Sequence, residues 1–286
     1  MSRRVLFVVR SGSNQAPDVA RAAATGLIEN NIEVLCARDD AALLNVAGVV
    51  PSDDATGCEL VVVFGGDGTI LSGFEIARPA DIPVLGVNLG HVGFLAEAEP
   101  ENIEAVVNAI VEHNWIVEER LTLKVTVEGP EQQHWSSWAL NEVAIEKDAR
   151  ERMIQVMVSV DERPLSQWSA DGLLCSTPTG STAYAFSAGG PVVWPDVDAM
   201  LVVPISAHAL FARPLVVAPS STIEVNVIKG PAVISADGRR TTEVSAGSTV
   251  TIVRHAQSTK FARLHPVPFT ERLVAKFELP VQGWGA

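Results

Sequence analysis

Near residue 120 the hydrophobic pattern of the chain changes period, and that change sets its gross organisation. Before it, short apolar runs alternate with stretches whose apolar residues recur at helical spacing; after it, apolar and polar residues alternate one by one. Residues 5–9, 32–36, 60–64 and 83–87 are apolar runs of strand length, the kind that needs cover on both faces of a parallel sheet. Residues 17–29 carry a helical pattern that stops at Asn30-Asn31. A second helix begins at Pro100, with Ile103, Val106, Val107, Ile110 and Val111 on one face. The alternation Leu121, Leu123, Val125, Val127 opens a β-rich stretch, with strands expected at 138–145, 154–160, 222–228, 232–236, 248–253 and 260–264. The fold expected is α/β plus all-β: an N-terminal Rossmann-like α/β domain over 1–120 and a C-terminal β-sandwich domain over 121–267. Residues 269–277 return to helical spacing, so the tail 268–286 is expected to pack back on the first domain.

The 286 residues suffice for two domains with sizeable cores. A formal charge of −13 argues against an extended surface for nucleic acid or anionic membrane, so any ligand charge is handled locally. Cys36, Cys58 and Cys175 lie in apolar segments at unrelated spacings, which predicts neither a disulfide framework nor a metal site and suits a reduced, cytoplasmic chain. The apolar run at 5–9 is ended by Arg10 and a turn, too early for a secretory signal. No apolar stretch approaches the roughly 20 residues of a membrane span.

Gly65-Gly66-Asp67-Gly68-Thr69 follows one buried strand and precedes the helical stretch that starts at Ile70. Glycines admit close approach of a ligand, and the start of a helix favours an anion. A carboxylate inside an anion cradle is repelled by phosphate, so Asp67 is expected to hold Mg²⁺ or to accept the proton of an attacking hydroxyl. The bland alternative is that Asp67 or Thr69 caps the helix. Five of the seven residues from 176 to 182 carry hydroxyls. They either donate to phosphate or ribose oxygens, with Tyr184 as a flat surface for a base, or form a capped turn beside a core tyrosine. Asn141-Glu142 interrupts a strand-like run with a polar pair able to bind vicinal hydroxyls. Asn88-Leu89-Gly90-His91-Val92-Gly93-Phe94-Leu95 fits a loop at the carboxyl end of a sheet, with Phe94 walling a pocket or joining the core.

These four segments, in this order, resemble the NAD kinase family, and the resemblance covers nearly the whole chain. It implies transfer of a terminal phosphoryl group from ATP, or from polyphosphate, to the 2′-hydroxyl of the adenosine ribose of NAD, with Mg²⁺ or another divalent cation. Asp67 matches the proton acceptor, within the turn that includes Gly66, Gly68 and Thr69. Asn141 and Glu142 match the pair that holds the adenosine ribose. Thr182, Ala183, Tyr184, Ala185, Phe186 and Ser187 match the stretch around the adenine, and Asp171 a carboxylate on the nicotinamide side. Asp237-Gly238 resembles a further aspartate-containing turn near the reacting centre. Phe94, Arg152, Ser169, Thr179 and Ser206 complete the expected dinucleotide-binding set. Many members carry arginine where this chain has Ser169, a position that bears on whether NADH is accepted. No Walker lysine is present, so donor charge falls on the cation and on arginines such as Arg152, Arg213, Arg239 or Arg240. The resemblance also implies a homodimer or homotetramer. Two rival classes remain open: a lipid kinase of the diacylglycerol or sphingosine type, which shares the glycine turn, and a non-enzymatic NAD(P) sensor.

Overall fold

The computed structural model describes residues 2–10, 15–89, 93–96, 102–150, 152–265 and 267–281; the expected helix start at Pro100 and the loop residues Gly90, His91 and Val92 lie outside them. The chain forms two compact units, Met1–Glu119 with Thr259–Ala286, and Arg120–Ser258. The first unit alternates strands and helices: β1 (Arg4–Val9), α1 (Ala16–Glu29), β2 (Glu33–Cys36), α2 (Arg38–Leu44), β3 (Val50–Pro51), β4 (Leu60–Phe64), α3 (Asp67–Ala77), β5 (Val84–Val87), α4 (Ile103–Val111) and β6 (Ile116–Arg120). Successive strand residues face opposite sides, and the helices divide accordingly. Leu60, Val62 and Phe64 share a core with Ala20, Ala24 and Leu27 of α1 and with Val106 and Ile110 of α4. Val61 and Val63 face Gly73 of α3, which lacks the Cβ that would collide with Val63.

The second unit is antiparallel: β7 (Leu123–Glu128), β8 (His134–Ala139), β9 (Glu142–Lys147), β10 (Ile154–Val160), β11 (Arg163–Ala170), β12 (Gly172–Ser176), α5 (Tyr184–Ser187), β13 (Met200–Ile205), β14 (Leu215–Val217), β15 (Ile223–Lys229), β16 (Ala232–Ala236), β17 (Arg240–Val244) and β18 (Thr249–Arg254). They form two six-stranded sheets, in the orders β11-β10-β15-β18-β7-β8 and β14-β13-β12-β9-β16-β17. Alternate residues of both sheets meet in one core: Val125, Val156, Trp168 and Val225 from the first, Val143, Ile145, Cys175 and Ile234 from the second. The second sheet also covers its outer face. There Ala144, Leu174, Leu201 and Val203 pack with Ala185, and Tyr184 rests against them. Glu142 and Glu146 share the face of Ala144 by the period of two.

Two strand expectations change. The run 138–145 was expected as one strand; the structure breaks it at Leu140-Asn141 into β8 and β9, in different sheets. The break follows from the backbone partners of these residues, which are side chains and the Thr177 N–H rather than a strand ladder. The N–H groups of Leu140 and Asn141 donate to the Asp237 carboxylate, and their carbonyls accept from the Thr177 and Ser176 hydroxyls.

The run 260–264, expected in the β-sandwich, is instead β19 (Thr259–Arg263), with Phe261 opposite Val84 in a parallel pairing with β5. It completes the first sheet, β3-β2-β1-β4-β5-β19-β6. Phe261 is buried against Phe74 with ring centroids 4.6 Å apart, and the Arg263 guanidinium binds Glu118 at 2.7 Å. The β-rich unit therefore ends at Ser258 rather than at 267. The tail forms α6 (Phe269–Phe277) within the first unit.

Candidate active site

Each unit carries its own group of candidate side chains. At the carboxyl edge of the parallel sheet, where open α/β folds bind ligands, Gly65 N–H donates to Val87 O at 3.0 Å and the chain turns into α3. The N-cap is Gly66, in extended backbone at φ −86°, and no side chain caps the helix. The capping role weighed for Asp67 and Thr69 is thus not what these residues do. Asp67, in the first turn, sends its carboxylate across to a neighbouring loop. Oδ2 accepts the N–H of Phe94 at 3.0 Å and Oδ1 that of Leu95 at 3.2 Å. Gly93 makes this approach possible, because a Cβ there would collide with Oδ1. The Phe94 ring packs against Phe269 and Phe277 of α6, 5.8 and 5.9 Å between centroids.

A cavity of about 330 Å³ adjoins this turn, lined among others by Val9, Arg10, Asp39, Asp40, Gly68 and Thr69. The Asp40 carboxylate accepts Val9 N–H at 2.9 Å. Burial pushes its pKa up, Val9 N–H opposes this, and the charges of Asp39 and Asp53 add to it. Arg10 stands beside the glycine turn and was not among the arginines singled out from the sequence. The available signal was its place, one residue past the carboxyl end of β1.

In the β-rich unit the structure gathers Asn141, Glu142, Thr177, Tyr184 and Asp237. The turn between β16 and β17 holds Asp237 and Gly238 at φ +54° and +63°, the left-handed pair favoured in tight hairpins. The Asp237 side chain, 1% exposed, accepts the N–H groups of Leu140, Asn141 and Glu142 at 2.9, 2.7 and 3.3 Å and pairs with Arg240 at 2.9 Å. The Arg240 guanidinium lies 4.2 Å from the centroid of Trp138. Burial pushes the Asp237 carboxyl up, opposed by the three N–H donors and Arg240. All four lone-pair directions of this carboxylate are taken, so Asp237 shapes the Asn141-Glu142 corner rather than facing a ligand.

Glu142 is the reverse case. It is 7% exposed, its Oε2 finds no hydrogen-bond partner, and its pKa is pushed up to about 8. Burial is the largest cause, followed by the Asp237 charge; the Tyr184 N–H opposes them, and Glu146 adds a smaller push. Tyr184 donates its hydroxyl to Glu146 Oε1 at 2.7 Å, and burial with that bond pushes its own pKa up to about 12.

The hydroxyl-rich segment is largely self-satisfied. Thr177 Oγ1 donates to Leu140 O and Ser181 Oγ to Val193 O, and within the 3-10 turn Thr179–Thr182 the Thr182 Oγ1 donates to Thr179 O. Gly180 lies so close to the Asn141 carbonyl that a Cβ would collide with it. These hydroxyls therefore lock α5, with Tyr184, Ala185, Phe186 and Ser187, onto the Asn141 corner; Ala183 stands at its start. Asp171 pairs with Lys147 at 2.6 Å, and its N–H donates to Ile205 O, next to Ser206 at φ +49°. Ser169 O accepts His208 N–H at 2.8 Å, and Arg152 is exposed on the link into β10. Farther along, Val193 packs against α5 and its core, whereas Trp194 is exposed.

Among the described residues no group of three His, Cys, Asp or Glu is arranged to hold a metal, and no helix is long and apolar enough to cross a membrane. One unit thus carries a carboxylate at a glycine turn, and the other a buried carboxylate beside a tyrosine. Residues 5–115 match the ATP-NAD kinase N-terminal domain and residues 140–264 the ATP-NAD kinase C-terminal domain. The chain is 50% identical over 300 residues to an NAD kinase of Mycobacterium tuberculosis, covering 99% of this chain and 98% of that protein. Identity to an NAD kinase of Cutibacterium acnes is 49% over 294 residues, covering 99% and 92%. The crystal structure of an NAD kinase from Archaeoglobus fulgidus in complex with ATP aligns with a TM-score of 0.74 at 29% identity, covering 96% of this chain and 98% of that one. The fold also matches that of yeast NADH kinase complexed with NADH, with a TM-score of 0.91 at 20% identity, covering 100% and 91%. The chain belongs to the NAD kinase family.

Proposed function

We propose that Asp67 accepts the proton of the 2′-hydroxyl when this chain phosphorylates the adenosine ribose of NAD to give NADP, with ATP as donor. The observation that carries this reading is the state of its carboxylate. Each oxygen accepts one backbone N–H and keeps a second lone pair. The group is thus oriented by its loop and still able to take a proton. The 2′-oxygen forms a bond to the terminal phosphorus, the bond to the bridging oxygen breaks, ADP leaves, and the hydroxyl proton passes to Asp67. Positioning and charge neutralisation carry most of such a transfer.

The orphaned Glu142 Oε2 supports a role for Glu142, with Asn141, in holding the ribose hydroxyls. Tyr184 and its neighbours from Thr182 to Ser187 would flank the adenine, and Asp171 the nicotinamide side. A divalent cation would come with the nucleotide, since Mg²⁺ keeps several waters and takes only one or two carboxylates. When bound, Mg²⁺ supplies neutralisation of the donor phosphates; Arg10 is a basic residue lining the cavity beside the glycine turn. We extend the reading to a cytoplasmic homodimer or homotetramer. Three buried free thiols and the exposed Trp194, Leu210, Phe211 and Val216 of the β-rich unit support it, and light scattering tests it.

The test incubates the protein with NAD, Mg²⁺ and ATP and detects NADP with an NADP-specific dehydrogenase, with polyphosphate and NADH in parallel. NADP formation that disappears in Asp67→Asn, while NAD still raises the unfolding temperature, is the expected result. Normal turnover of that variant would overturn the role of Asp67. Stabilisation by NAD without product from any pairing would favour the sensor.

A further inference from the structure

The loop that holds Asp67 is itself held from behind. Arg272 of α6 donates through Nη1 to Phe94 O at 3.2 Å and to Ala96 O at 2.7 Å, and Arg263 Nη1 donates to the intervening Leu95 O at 3.2 Å. Three successive carbonyls thus accept from two guanidiniums, while the N–H groups of Phe94 and Leu95 point the other way, to Asp67. The connection is covalent and planar. Phe94 C=O and Leu95 N–H belong to one trans peptide unit, so they point in opposite directions and turn together. Drawing that oxygen toward Arg272 aims that N–H at Asp67 Oδ1, and each bond polarises the other. Phe269 and Phe277, one near each end of α6, brace the Phe94 ring and fix where the helix sits on the loop.

We infer that Arg272 is a positioning residue for phosphoryl transfer, setting the Asp67 carboxylate through the Phe94–Leu95 peptide. The inference rests on the reading of Asp67 as proton acceptor. It gives the C-terminal helix a task in turnover that burial does not account for, since no residue of α6 is buried.

The test replaces Arg272 with Gln and with Lys in the full chain and measures kcat, KM for NAD, and the unfolding temperature. Misplacing a reacting group by about 1 Å costs on the order of 100-fold, so Arg272→Gln is expected to lower kcat about 10- to 100-fold. KM for NAD and the NAD-induced thermal shift are expected to stay near wild type, and Arg272→Lys, which keeps charge and one donor, to recover part of the rate. The same Gln substitution in an Asp67→Asn background is expected to change the residual rate by less than about twofold, because coupled residues are not additive. Unchanged kcat in Arg272→Gln, or an equal fold loss in both backgrounds, overturns the inference while leaving the role of Asp67 intact. Full turnover by Asp67→Asn alone overturns both. Should Arg272→Gln fail to fold, Arg272→Lys carries the same comparison in both backgrounds.

Discussion

Asp67-Gly68 and Asp237-Gly238 read alike in sequence, an aspartate and a glycine at the end of a strand, yet the two carboxylates do opposite work. Asp67 is half-buried and accepts two N–H groups from a loop that is distant in sequence. The Asp237 side chain is 1% exposed and accepts hydrogen bonds from three N–H groups and a guanidinium. The first retains acceptor capacity and access; the second has neither. A carboxylate with lone pairs to spare at a ligand-facing edge is equipped for chemistry, whereas one whose lone pairs are all taken is a structural clamp.

The most decisive attack on this contrast is to neutralise each aspartate. Asp67→Asn is expected to lower kcat about 10²–10⁴-fold, the usual span for loss of a general base, with little change in thermal stability. Asp237→Asn is expected to act the other way round. An amide NH₂ would face backbone N–H groups and Arg240 would lose its partner, costing on the order of 3–5 kcal/mol. The lost stability, read by denaturant unfolding of the β-rich unit, would be accompanied by a raised KM for NAD as the Asn141-Glu142 corner loosens. Similar kinetics and stability for the two variants would end the distinction. A smaller effect is expected from Gly93→Ala, where the added methyl collides with Asp67 Oδ1. Moving the carboxylate aside should lower kcat about 10-fold, with KM for NAD unchanged.

How much of this was legible in the sequence differs between the same two regions. The period change and strands β1, β2, β4 and β5 could be read because apolar periodicity reports burial, and the C-terminal helix is bounded at Phe269–Phe277 as expected. The β19 strand was assigned to the wrong sheet because alternation identifies a strand but not its neighbour. Phe74 and Val84, which fix its place, are about 180 residues away. Asp67 stood out in its glycine turn. What it binds did not, since Phe94 and Leu95 contribute backbone N–H groups, which no side-chain pattern encodes. For the same reason the hydroxyls of the 176–182 segment suggested a phosphate site, whereas Ser176, Thr177, Ser181 and Thr182 donate to backbone carbonyls.

The mildest test uses Glu142, which borders the clamp without belonging to it. Its pKa rises from 4.5 to about 8, because burial and the nearby Asp237 charge disfavour its ionised form. A carboxyl raised in the folded state is protonated there while it is already ionised in the unfolded chain. The folded form binds the extra proton between the two values, so stability falls as pH rises through that window. The contribution is fully present below about pH 4.5 and lost once pH passes about 8. Glu142→Gln cannot ionise and lacks this dependence. The unfolding temperature of the variant minus that of the wild type should therefore grow from pH 5 to pH 8.5 by about a few degrees. A flat difference would mean that Glu142 is ionised in the folded protein, held by donors the clamp does not account for. A rising one would show that Glu142 is protonated in the folded protein up to about pH 8, kept so first by burial and second by the nearby Asp237 charge.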